Sequence, residues 1–270
     1  MTERSELKEI ASFAKGLARS GGRIALTSYG HADPSVKYDE SLVTEADLAV
    51  QEHIHREVAR RFPSHRFLGE EDLPKSSGEA VESRAEDEPD YLWVVDPVDG
   101  TAAFSKGYPI WGVSIAVLRD RRPVVGVFFM PVTGEMYSAV AGGPAFCDER
   151  EISVRADEVV DNESLMLTYS RFHNEFSTDF PGKVRSLGSS VAHICYVARG
   201  AAWGAVLHRV HVWDIVAGQV ILEAAGGEIR DLDGQPFDPA DYLEETRIDR
   251  PLLAAATGQH EAVGSYLKRR

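Results

Sequence analysis

Ile110–Val140 reads IWGVSIAVLRDRRPVVGVFFMPVTGEMYSAV, and this stretch decides the fold. Three apolar runs, IWGVSIAVL, PVVGVFFM and EMYSAV, are separated by polar turns at Arg119–Arg122 and Thr133-Gly134. Runs rich in Val, Ile and Phe, joined by turns too short for a crossover helix, make an antiparallel meander. A simple parallel doubly wound sheet is therefore excluded.

On the N-terminal side, Leu7, Ile10, Ala11, Ala14, Leu17 and Ala18 fall on one helical stripe, which Gly21-Gly22 is expected to end. Thr44 stands three residues before Asp47, a spacing like a capping box, and announces a second helix along Ala46, Val50, Ile54 and Val58 that stops before Pro63. His65–Leu68 and Tyr91–Val95 read as short strands. Lys75–Pro89 between them, rich in Ser, Gly and Glu, reads as a mobile surface loop. On the C-terminal side, Leu165–Tyr169, Ala202–Leu207 and Leu252–Ala256 read as strands. Val191, Ile194, Cys195 and Ala198 mark a helix closed by Gly200, and Asp214–Ala225 reads as a buried helix ending at Gly226-Gly227. There is no internal repeat. The expected organisation is layered α and β in two halves, 1–152 and 153–270, forming one compact catalytic unit.

Composition narrows the function. Forty-three acids against twenty-nine bases give a net charge of −14, which argues against a nucleic-acid backbone or an anionic membrane as partner. The N-terminus lacks an apolar signal core, and Gly112–Leu118 and Val124–Val132 are too short to span a bilayer. Cys147 and Cys195 read as two free thiols, and the expected location is cytoplasmic.

The chemistry begins at Trp93-Val94-Val95-Asp96-Pro97-Val98-Asp99-Gly100-Thr101. An apolar strand delivers Asp96 at its carboxyl end. Pro97 cannot continue the ladder, so a sharp turn is expected to return Asp99 to the same side. Gly100 permits close approach of a ligand, and Thr101 opens a helix with free N–H groups. A bare DxxDG is as often an ordinary strand-end turn; the nine-residue string is more specific. Gly69-Glu70-Glu71-Asp72 alone is more often a solvated charge run, and Trp213-Asp214 alone is explained by an N-cap. Together the three segments favour a Mg²⁺ site, since Mg²⁺ takes hard oxygen ligands and supplies the positive charge that so acidic a chain denies to an anionic substrate. The histidines, His53/His55 and His208/His211 among them, show no HExxH-type spacing, which disfavours a transition-metal site.

GEED, WVVDPVDGT and VWDIVAG strongly resemble the signatures of the inositol monophosphatase family, the lithium-sensitive magnesium phosphomonoesterases. VKYDESLVTEAD, GYPIWGVSIAVL and KVRSLGSSVAHICYVARG extend the resemblance over nearly the whole chain. It implies an αβαβα sandwich, usually a homodimer, with two or three Mg²⁺ per active site and a small phosphate monoester as substrate. It implies that Glu70, Asp96 and the Val98 carbonyl hold one metal, and that Asp96, Asp99 and Asp214 hold a second. Gly100 and Thr101 offer N–H groups to the phosphate. A water oriented by Glu70 and Thr101 attacks phosphorus in line, Asp47 orients the Thr101 hydroxyl, and Glu71 acts from further out or ligates a weaker third metal.

Departures from the family pattern concern the substrate. Ser41 stands where Asp is frequent, Ala102-Ala103 where Thr-Asn is, Leu207 where inositol-specific members often have an acid, and Trp203 where Asp is common. The default substrate is inositol 1-phosphate or a related polyol or sugar phosphate. Histidinol phosphate is the nearest rival, because GYPIWG resembles that branch. Nucleotide 3′-phosphates and fructose 1,6-bisphosphate are disfavoured because the sequence shows no basic patch for a second phosphate. Leu207 replaces a polar partner with an apolar contact, so the expected substrate is less hydroxyl-rich than inositol phosphate, or binds by another face. Trp203 either adds bulk there or packs in the core. A silent regulatory homologue would be expected to have lost one of Asp96, Asp99, Thr101 or Asp214, and none is lost. A calcium module would need an EF-hand-like loop, which is absent.

Overall fold

The structure is a computed structural model that describes residues 3–36, 42–72, 90–155 and 160–270. The expected loop at Lys75–Pro89 and the departure at Ser41 lie outside these residues.

Seven strands in chain order form the first sheet: β1 (Arg66–Gly69), β2 (Tyr91–Asp99), β3 (Gly112–Arg119), β4 (Arg122–Met130), β5 (Glu135–Val140), β6 (Ala145–Cys147) and β7 (Arg150–Ile152). β1 and β2 are parallel, and every later pair is antiparallel, so the meander stands where the sequence placed it. The second sheet has five strands: β8 (Leu165–Thr168), β9 (Lys183–Arg185), β10 (Gly204–Leu207), β11 (Gly227–Asp231) and β12 (Leu252–Ala256), in spatial order β9-β8-β10-β12-β11. Its first three strands are mutually parallel.

Helices α1 (Glu3–Leu26) and α2 (Glu45–Arg61) cover one face of the first sheet, burying Ile10, Leu17, Val50 and Ile54 against Trp93, Val95 and Ile115. α1 continues past Gly21-Gly22, against expectation. A Cβ on Gly22 would lie 2.7 Å from Pro131 Cγ and 2.9 Å from Phe129 Cε1, so these glycines let the helix press onto the sheet and do not end it. α2 begins as expected: the Thr44 side chain accepts from Ala46 N–H at 3.2 Å, and Asp47 accepts from Thr44 N–H at 2.8 Å. The opposite face of the sheet packs on a middle layer, with Val94, Ala116 and Leu118 against Trp213, Val216 and Ala217.

That middle layer also covers the inner face of the second sheet, through Ala205, Leu207 and Ala254. Met166, Val206 and Leu253 alternate to the outer face and meet two short helices, Phe172–Glu175 and His260–Gly264. The result is an α+β sandwich with layers in the order αβαβα. Trp203 belongs to this outer core with Phe172 and Phe176, at 5% exposure, so it adds no bulk to the site. Cys147 and Cys195 are free thiols. Among the described residues no helix is long and apolar enough to cross a membrane.

Candidate active site

β2 corrects the local geometry expected at Pro97. The strand does not turn there but runs on to Asp99, with a register shift between Asp96, paired with Ser114, and Asp99, paired with Gly112. Two residues on β2, Pro97 and Val98, therefore oppose one on β3, Val113, which defines a bulge. In an unbroken strand, side chains three apart point to opposite faces. The extra residue flips the alternation, and Val98 joins the α1/α2 core with Val95. Asp96 and Asp99 then share the face toward the middle layer. The missing Pro97 donor and the odd spacing of the two acids are one feature.

Asp99 is buried and tied to a segment about ninety residues further along the chain. Its carboxylate accepts from Ser190 N–H at 3.1 Å, from Val191 N–H at 2.9 Å and from the Ser189 hydroxyl, so it sits on the N-terminus of α4 (Ser190–Ala198). Ser189 was not singled out by the sequence analysis; its signal was the N-cap position, since its side chain accepts from Ala192 N–H at 3.0 Å. Gly100 lies at φ +98°, and a Cβ there would come within 2.9 Å of the Gly188 carbonyl, so glycine is required where this turn meets the segment before α4. Thr101 opens the short helix α3 (Thr101–Ser105), as expected.

Asp214 is not the N-cap of the apolar helix. It ends a 3₁₀ turn over Val212–Asp214, and its carboxylate turns back to accept from His211 N–H at 2.7 Å. The helix α5 spans Val216–Ala224, and Gly226 at φ +93° follows it. Closing the turn this way fixes the Asp214 carboxylate beside β2. One carboxylate oxygen each of Asp96, Asp99 and Asp214 lies within 4.8 Å of the others. Asp47, Glu70 and Glu71 form a second such group.

Burial first, then the charges of Glu70 and Asp99, with Asp214 and Asp47 behind them, push the Asp96 carboxyl well above the carboxylate range. Burial and Asp214 raise Asp99 to about 7, against the opposing hydrogen bonds from Ser189, Val191 and Ser190. The donors are hard oxygens, drawn together with like charge on like. That chemistry fits a hard divalent cation such as Mg²⁺ and does not fit a soft metal. Around this set, the Thr101 hydroxyl lies 3.1 Å from the Val98 carbonyl and 3.3 Å from Asp47 Oδ1. Asp47 Oδ2 is itself held by the Thr44 hydroxyl at 2.5 Å. Gln51, one turn after Asp47 on α2, accepts from Glu71 N–H at 3.0 Å and fixes the acidic turn at Glu70–Asp72. Its signal in the sequence was the i, i+4 spacing from Asp47.

A cavity of about 490 Å³ opens over these groups. Glu70, Asp96, Val98, Asp99, Gly100, Thr101 and Asp214 line it; Asp47 and Glu71 stand behind the wall. The wall contributed by the second sheet carries Leu207, almost wholly buried, and the side chains that follow three strand ends. Arg171, Arg209 and Arg247 also line it. The sequence shows no basic patch because these arginines are 38 residues apart in each interval, and only the fold assembles them.

A model described as the inositol monophosphatase family matches residues 6–263. Inositol-1-monophosphatase ImpA of Mycolicibacterium smegmatis is 31% identical over 254 residues, covering 88% of this chain and 85% of the relative. Human inositol monophosphatase 1 is 30% identical over 247 residues, covering 86% of each. Among solved structures, the Thermotoga maritima IMPase superposes with a TM-score of 0.78 at 25% identity, over 96% of both chains.

Proposed function

The chain belongs to the inositol monophosphatase family and is a phosphoric monoester hydrolase, and we propose that it hydrolyses a small phosphate monoester with two or three Mg²⁺ ions. The observation that carries the proposal is the convergence of Asp96, Asp99 and Asp214 within 4.8 Å in a cavity that also holds Glu70. In this reading Glu70, Asp96 and the Val98 carbonyl would hold one ion. Asp96, Asp99 and Asp214 would hold another, and Glu71 acts from behind the wall. Bound Mg²⁺ would supply positive charge to the phosphate oxygens and the departing alkoxide, and would make water more acidic.

The remaining work falls to the chain. The Thr101 hydroxyl has one hydrogen, and both its acceptors, the Val98 carbonyl and Asp47, are fixed in the fold. Donating to either leaves its lone pairs to accept from a water, which it orients together with Glu70. Asp47 is thus a positioning residue, locked in turn by Thr44. Gly100 and Thr101 offer N–H groups to the phosphate. Residues 1–152 supply all these groups except Asp214, so the halves 1–152 and 153–270 act as one catalytic unit.

The default substrate is inositol 1-phosphate or a related polyol or sugar phosphate, with histidinol phosphate as the alternative. Family membership also supports inhibition by millimolar Li⁺ in competition with Mg²⁺, a homodimer and a cytoplasmic location, to be checked by inhibition kinetics, light scattering and cell fractionation. The central test is phosphate release from about twenty candidate monoesters, with Mg²⁺ and after EDTA treatment. Release should require Mg²⁺. Full activity in EDTA-treated protein overturns the proposal.

A further inference from the structure

The cavity is built by the carboxyl ends of parallel strands from both sheets, the usual place for a ligand in such sheets. β1 and β2 of the first sheet end in Glu70 and in Asp96 and Asp99. β8, β9 and β10 of the second sheet end in Tyr169-Ser170-Arg171, in Ser186 and in His208-Arg209. One end of the cavity is therefore carboxylate and the other is hydroxyl and guanidinium.

Among the described residues, the acids lining the cavity are Glu70, Asp96, Asp99 and Asp214, all assigned above to the metal ions. No other described acid lines it to neutralise the arginines. Arg209 is held at 3.3 Å by Glu175, which also takes His208 Nε2 at 3.0 Å; Glu175 does not line the cavity. Arg247 is steadied by Asp249 at 2.8 Å. The Arg171 side chain makes no ion pair or hydrogen bond among the described residues. Arg209 sits at φ +56°, a backbone conformation that L side chains rarely adopt, on the tight connection leaving β10. In a protein of net charge −14, three arginines line one cavity, and the side chain of one of them, Arg171, has no partner among the described residues.

We propose that this end of the cavity selects phosphate monoesters whose alcohol carries a second anionic group, a carboxylate or another phosphate, with Arg171 as its principal partner and Arg209 and Arg247 beside it. Planar guanidinium groups suit either anion because both present paired oxygens to a bidentate fork. The inference rests on the phosphatase reading of the carboxylate end. It replaces the expectation, drawn from Leu207 alone, that the substrate is only poorer in hydroxyls.

The test uses two matched pairs with the Mg²⁺-loaded protein: 3-phosphoglycerate against glycerol 3-phosphate, and fructose 1,6-bisphosphate against fructose 6-phosphate. The first pair tests a carboxylate and the second a phosphate. In at least one pair the anionic member should have the higher kcat/KM by tenfold or more. In that pair Arg171→Gln should lower the ratio at least tenfold, and Arg171→Lys, which keeps the charge without the fork, should restore part of it. Arg171 is exposed, so these variants should fold as the parent does. Ratios within threefold in both pairs, or an Arg171→Gln protein that slows both members equally, overturn the inference and leave the phosphatase intact. No phosphate release from these four while another monoester is hydrolysed also overturns the inference alone; no release from any of the about twenty monoesters overturns both readings.

Discussion

Replacing Asp96 by Asn should reverse the order of stability between wild type and variant when Mg²⁺ is added. The amide keeps the shape of the side chain and the oxygen that accepts from Val98 N–H at 2.9 Å, and removes the charge. Two unit charges no more than 4.8 Å apart repel by about 3.5 kcal/mol or more at an effective dielectric constant of 20. Protonation and solvent relaxation limit what the metal-free protein bears, so relief of roughly 1–2 kcal/mol is expected on neutralising Asp96. An unfolding entropy of about 2.1 cal/mol/K per residue over 270 residues makes this a Tm increase of about 2–4 °C in EDTA. With Mg²⁺ at a hundred times its Kd, wild type should gain about 2.7 kcal/mol, or about 5 °C. The variant, lacking the carboxylate shared by both proposed ion sites, should gain little. Thermal unfolding by circular dichroism, in EDTA and across a Mg²⁺ titration at constant ionic strength, reads both effects. An Asp96→Asn protein that is less stable than wild type in EDTA, and still shows the full Mg²⁺ shift, refutes the reasoning.

Three further outcomes follow from particular contacts. Thr101→Ala should lower kcat about tenfold or more with little change in KM, while Thr101→Ser, which keeps the hydroxyl, should stay near wild type; equal losses in both, read by steady-state kinetics, would assign the effect to packing. Gly16→Ala, where a Cβ meets nothing within 4 Å, should stabilise by roughly 0.5–1 kcal/mol through helix propensity. Gly22→Ala should instead destabilise by about 1–3 kcal/mol through its clash with Pro131 and Phe129, and urea unfolding that shows the two variants alike would contradict the packing assigned to α1. Burial lowers His65 to about 4, and its Nδ1 accepts from Trp93 Nε1–H at 3.0 Å. A histidine whose folded value lies below its unfolded one stabilises the protein fully above pH ~6.5 and loses that contribution as pH falls toward 4. The loss should be roughly 1–2 kcal/mol, discounted because the ring is partly exposed. It should shrink in His65→Gln, and a pH dependence between 4 and 6.5 unchanged in that variant counts against it.

Much of the fold was legible because its signals were local. The meander, the capping box at Thr44 and the closure of α4 by Gly200 each depend on residues a few positions apart, and each stands in the structure. What failed was reading glycine and proline as punctuation without knowing what lies against them. Gly21-Gly22 carries the same letters as a helix end, but Pro131 and Phe129, more than a hundred residues away, turn those letters into a packing contact. Pro97 reads as a strand terminator, yet the bulge lets β2 absorb it and brings Asp99 round to Asp96. Leu207 and Trp203 looked alike as departures at the substrate pocket; Leu207 lies on β10 and lines the cavity, whereas Trp203 stands just before the strand, outside its alternation, and packs in the outer core.

The two ends of the cavity differ in legibility for the same physical reason. The carboxylate motifs are contiguous because a strand, its bulge and the following turn deliver Asp96, Asp99, Gly100 and Thr101 from six residues of chain. The guanidinium end takes one side chain from each of three distant segments, two of them strand ends, so spacing along the chain carries no trace of it. The chemistry at phosphorus is therefore written in short motifs, while the choice of alcohol is written in which residues follow the strands of the second sheet. Substitutions at Arg171, Arg209 or Leu207 should accordingly redirect the substrate without touching Asp96, Asp99 or Asp214, because Asp96 and Asp99 reach the cavity from the first sheet and Asp214 from the 3₁₀ turn, while Arg171, Arg209 and Leu207 lie on or just after strands of the second sheet.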